Sequence, residues 1–179
     1  MSQPARQEPP ADNTDPEADP ESVARTILLR RLTDQPRSRA ELAESLAKKH
    51  VPADVADRVL DRFEEVGLID DEDFARSWVQ SRQRSRGVAA KVLAMELRRK
   101  GIDDDTSREV LAELDPEVER QNAHRLVQKK LRSMRGLDST TQIRRLTGML
   151  ARKGYAPQVA FDVVRAELEA APLHDLEST

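Results

Sequence analysis

An internal repeat constrains this chain more than any other feature. Leu46-Ala47-Lys48-Lys49-His50-Val51, Leu97-Arg98-Arg99-Lys100-Gly101-Ile102 and Leu150-Ala151-Arg152-Lys153-Gly154-Tyr155 align at spacings of 51 and 53. At the same offsets fall Leu42, Leu93 and Leu146, and also Val59, Val110 and Val163. The preceding segment aligns too, with the second spacing shortened to 48: Ala24, Ala75 and Ala123; Ile27, Trp78 and Leu126; Arg31, Arg82 and Lys130. A pattern that returns at this period marks a tandem array of small units, none of which can bury its apolar face alone.

Within each unit the apolar period is helical. Val55, Val59, Leu60, Phe63 and Val66 make one broad stripe, and comparable stripes recur from Val23 to Val164. Stops lie between them, at Pro36, Pro52, Gly67, Gly87, Gly101, Pro116, Gly136, Gly154 and Pro157. Ser38, Asp70 or Asp71, Asp103 to Asp105, and Ser139 to Thr141 are candidate N-caps. No segment has a convincing period of two. Aromatics are only 3% of the residues, so the core must be built from Leu, Val, Ile and Ala, which favours helices. The expected fold is all-α: three tandem three-helix repeats, about nine helices, forming an elongated, curved array. Repeat 1 spans 22–70, repeat 2 spans 71–115 and repeat 3 spans 116–170. Residues 1–21 form an acidic, proline-rich tail expected to be disordered, and 171–179 a flexible C-terminal tail.

Composition narrows the function classes. The chain has no cysteine, which removes disulfides and thiolate metal sites. It has no secretory leader pattern and no apolar run near the length of a membrane span, so the expected location is cytoplasmic, with no membrane partner. No phosphate loop, dinucleotide fingerprint or His-Glu-x-x-His pair is present. His50, His124 and His174 are scattered, and the acid run Asp70 to Asp73 opens a helix, where carboxylates cap free amides. Neither an enzyme, a metal nor a cofactor is expected, and a monomer is preferred.

The net charge of −3 conceals an asymmetry. Residues 1–22 sum to −5 and 167–179 to −4, leaving +6 between them. Residues 76–100 alone sum to +7, and 120–135 to +6. A basic body between acidic ends suits a partner that is nucleic acid or nucleoprotein. On charge alone Arg82, Arg84, Arg86, Lys91 and Lys100 are the partner-binding candidates. Few aromatics interleave with these bases, which argues against stacking on single strands.

Two parts of the chain resemble known families. The string Gly67-Leu68-Ile69-Asp70-Asp71-Glu72-Asp73-Phe74-Ala75-Arg76-Ser77-Trp78, the arginine four residues after Trp78, and Glu96-Leu97-Arg98-Arg99-Lys100-Gly101-Ile102 resemble the RecX regulatory protein family. That resemblance implies a regulatory protein that binds the RecA recombinase and the RecA–DNA filament. It implies inhibition of recombinase, ATPase and coprotease activities, and through them modulation of DNA repair and the SOS response. Weak non-specific DNA binding is a secondary expectation. The alternative rests on the first unit: Arg39 to Leu46, Val55 to Leu60 and Glu64 to Ile69 resemble the helical part of winged-helix transcription regulators. That reading needs a β-wing after Ile69 and a DNA-reading helix at 53–65.

Overall fold

The computed structural model describes residues 19–170. The two expected tails therefore lie, but for residues 19–21, outside the described residues. Nine helices occupy the described residues: α1 (Pro20–Asp34), α2 (Arg39–Ala47), α3 (Ala53–Glu65), α4 (Asp71–Arg86), α5 (Ala90–Arg99), α6 (Asp104–Ala112), α7 (Pro116–Leu131), α8 (Ser139–Arg152) and α9 (Pro157–Ala170). No strand is present among them. Ile69 leads directly into α4, so helix stands where a winged-helix domain would place its wing.

Helix starts follow local chemistry. Asp19, Asp70, Asp103, Asp115 and Asp138 each accept backbone N–H groups of the first turn that follows. Asp138 takes the cap of α8, one residue before the expected Ser139. Pro20 and Pro116 open α1 and α7, where a missing N–H costs nothing. Gly87 closes α4 in the left-handed conformation, φ 56°.

The aligned positions of the repeat are the buried ones. Ala24, Ala75 and Ala123 are fully buried, as are Leu42, Leu93 and Leu146, and Leu46, Leu97 and Leu150. Val59, Val110 and Val163 are buried as well. Each fully buried leucine contributes about 1.5–3 kcal/mol over an exposed one. Repetition of the pattern therefore supplies three similar cores. Ile27, Trp78 and Leu126 sit at each core's margin, half-buried.

By contacts the chain divides into two compact units, residues up to 37 with 42–69, and 38–41 with 70 onward. In the first, α1 packs on α3 around Leu28, Leu42, Leu46, Val59 and Phe63. In the second, α4 and α5 pack on α6 around Phe74, Val79, Leu93 and Leu97, and α7 and α8 pack on α9 around Val127, Leu146 and Val163. The first turn of α2, residues 38–41, belongs to this second unit.

Candidate functional site

The second unit contains two joints between successive repeats, built alike. At the first, Asp71 in the opening turn of α4 accepts the backbone N–H of Arg39 at 2.8 Å. At the second, Glu119 in the opening turn of α7 accepts the backbone N–H of Ala90 at 3.1 Å. An acid from the next repeat thus caps the middle helix of the one before, and complements its dipole. The carbonyl ending the next middle helix completes each joint. Lys100 O accepts from Ser38 Oγ at 2.6 Å, and Lys153 O accepts from the Ala89 N–H at 2.9 Å. Ser38, fully buried, also forms a reciprocal capping box with Glu41.

These carbonyls come close because the following residue is glycine. Gly101 (φ 76°) lies against the Ala40 methyl, and a Cβ on Gly154 (φ 90°) would stand 2.9 Å from Val92. His50 fills the equivalent position of repeat 1 in the same left-handed conformation (φ 58°), with its side chain exposed. At the second joint Tyr155, buried, donates its hydroxyl to Gly87 O at 2.8 Å. Burial foremost pushes that phenol up to about 12.

Trp78 is the centre of the first joint's charged cluster. Its ring stacks on Phe74 with centroids 6.1 Å apart. Its indole N–H donates to Glu96 Oε2 at 3.0 Å, and Arg82 Nε donates to the same oxygen at 2.7 Å. Arg82 and Lys100 both lie over the indole face, at 5.5 Å and 4.5 Å from its centroid. Lys100 in turn pairs with Glu41 at 2.6 Å. The Arg82 hydrogen bond, foremost, holds the Glu96 carboxyl below its ordinary value, and the Glu96 hydrogen bond raises Arg82.

Three of the five charge-selected cations therefore differ in placement from the other two. Arg82 and Lys100 are largely covered, at 17% and 27% side-chain exposure, and hold this cluster together. Arg84, Arg86 and Lys91 are exposed, and none has an ion-pair partner among the described residues. Over the whole of repeat 2, nine Lys and Arg meet ten Asp and Glu, whereas repeat 3 carries eleven against six. In repeat 3 Lys129, Lys130, Arg132, Arg135, Arg144, Arg145 and Arg152 are exposed and lack an ion-pair partner among the described residues. These exposed, unpaired cations thus belong to the end of α4, the start of α5 and the third repeat. Charge counted in the window 76–100 pointed to the middle repeat because it left out the acids of Asp71 to Asp73 and of α6.

Three family models match the chain in order: RecX, first three-helix domain, over 24–63; RecX, second three-helix domain, over 70–111; and RecX, third three-helix domain, over 117–164. The chain belongs to the RecX family. It is 50% identical over 159 residues to the Regulatory protein RecX of Streptomyces coelicolor, covering 89% of this chain and 85% of that protein. It is 52% identical over 153 residues to the Regulatory protein RecX of Mycolicibacterium smegmatis, covering 83% and 81%. The crystal structure of RecX from Lactobacillus salivarius shares the fold with a TM-score of 0.77 at 22% identity, covering 86% of this chain and 99% of that one. Trp78, Arg82, Glu96, Lys100 and Gly101, all within the strings that resemble the family, lie in the first joint or its charged cluster. No helix among the described residues is long and apolar enough to cross a membrane.

Proposed function

We propose that this chain binds the RecA recombinase on DNA and restrains it by occupancy, without chemistry of its own. On this reading it inhibits recombinase, ATPase and coprotease activities, and so modulates DNA repair and the SOS response in the cytoplasm. The observation that carries the proposal is the match of all three RecX three-helix domains, in order, along one chain. The surface supports it. A RecA–DNA filament is a repeating polyanion with protein walls, and exposed, unpaired bases in successive repeats suit such a partner. The contact candidates divide by placement: Arg84, Arg86 and Lys91 present charge outward, while Arg82 and Lys100 fix the segment that carries them.

Co-sedimentation tests the reading. RecA filaments assembled on single-stranded DNA with a non-hydrolysable nucleotide should carry the protein into the pellet saturably. They should do so in the presence of excess competitor duplex. Retention in the supernatant, or pelleting equal to that with DNA alone, would contradict it.

A further inference from the structure

The two joints match in hydrogen bonding and differ in charge. At the first, Lys100 Nζ has Glu41 at 2.6 Å. The residue that corresponds to Glu41 at the second joint is Val92, which cannot neutralise a lysine. Lys153 Nζ, the counterpart of Lys100, donates to the Arg86 carbonyl at 2.7 Å and has no carboxylate partner among the described residues. Arg82 is already committed to Glu96, and Arg86, whose charge Glu96 also feels, has no ion pair of its own. Arg82 and Arg86 thus lie near Glu96, and Lys153 lies near both arginines with no carboxylate of its own among the described residues. Burial, then Arg86 and Arg82, hold the Lys153 ammonium below the usual lysine range. Partly buried like charges without a counter-ion are costly, and an anion that enters relieves the cost.

We propose that the joint between the second and third repeats is a phosphate subsite, where Lys153 Nζ and the Arg86 guanidinium take one phosphodiester of a nucleic-acid backbone. The phosphate would do for Lys153 what Glu41 does for Lys100 at the first joint. The assignment deepens the filament reading, and rests on it only for the source of the nucleic acid. Phosphodiester is favoured over a protein carboxylate by what surrounds the site. Lys91 and Arg152, next in sequence to Val92 and Lys153, are exposed, and repeat 3 carries an excess of Lys and Arg. A strand offers an anion at every nucleotide and so satisfies a run of bases. A lone carboxylate satisfies one.

Binding of the full chain to a fluorescein-labelled oligothymidylate, followed by anisotropy over a salt series, decides the matter. Lys153→Gln and Arg86→Gln should each weaken binding about fivefold at low salt and reduce the slope of log affinity against log salt by about 0.7. Val92→Glu supplies the missing carboxylate and should do the same with every cation retained. Arg165→Gln, which removes a base paired with Glu169 on α9, should match the wild type. Wild-type affinity and slope in folded Lys153→Gln and Arg86→Gln would overturn the assignment, as would no binding by the wild-type chain at low salt. If Lys153→Gln leaves oligonucleotide binding intact and abolishes inhibition of RecA, the anion is a protein carboxylate and the phosphate assignment is wrong. No RecA is present in the anisotropy assay, so failure of the filament reading is scored separately.

Discussion

Asp71 caps a helix that is not its own: its Oδ1 accepts the Arg39 N–H at 2.8 Å, across 32 residues of sequence. Glu119 does the same for Ala90 one repeat later. Asp71→Ala should lower stability by about 1 kcal/mol, the usual loss for a helix cap. Asp57→Ala, an exposed acid on α3, should cost less than about 0.5 kcal/mol. Urea denaturation of both variants checks this, and equal midpoints would show the interrepeat cap to be inert.

The glycines that look alike in sequence should respond differently to alanine. Gly67 (φ 73°) has nothing within 4 Å of where a methyl would stand, so Gly67→Ala should cost only the left-handed conformation, about 1–2 kcal/mol. Gly101→Ala adds a collision with Ala40 and should cost at least about 1 kcal/mol more. His50→Gly should be stabilising or neutral, because it removes strain at φ 58° from an exposed position. Thermal unfolding of the three variants orders them, and equal losses in the two alanine variants would refute the close approach.

Glu96 gives a pH dependence of defined sign. Its folded carboxyl is held below the ordinary 4.5, first by Arg82 and, against the opposing desolvation, also by the Trp78 N–H. A carboxyl depressed in the folded state adds stability that is fully present above its unfolded value and is lost as pH falls through the folded value. Stability should therefore fall from about pH 4.5 downward. Glu96→Gln should flatten that part of the profile and lower stability at neutral pH. An unchanged acid limb in the variant would show that the cluster contributes nothing to it.

Charge reversal should separate scaffold from surface. Arg82→Glu sets a second carboxylate beside Glu96 and should cost about 2 kcal/mol or more, read by denaturation. Arg84→Glu, Arg86→Glu and Lys91→Glu combined should leave circular dichroism unchanged and weaken inhibition of RecA at least tenfold. Full inhibition by the folded triple variant would remove these residues from the contact.

The repeat, the helices and the core positions were legible because burial recurs with the sequence period: Leu42, Leu93 and Leu146 align in sequence and are all fully buried. Packing of Trp78 against a core followed from its alignment with Ile27 and Leu126, and its half-exposed place at the margin did not. The joints were not legible. Asp71 and Asp70 are adjacent acids at a helix start, and only the placement of residues 38–41 beside α4 sends Asp71 to Arg39 while Asp70 caps its own helix. The same holds for the bases. Arg82 and Arg84 are both arginines of α4, and the turn of the helix directs one onto Trp78 and Glu96 and leaves the other exposed. Lys153 carried a signal that a comparison of repeats exposes, since its partner position holds Val92 where Lys100 has Glu41.

The most direct test of restraint by occupancy is RecA ATP hydrolysis on single-stranded DNA, titrated with this protein. Hydrolysis should fall to a low plateau at well under one chain per RecA monomer. A rate unchanged at equimolar protein would contradict the account.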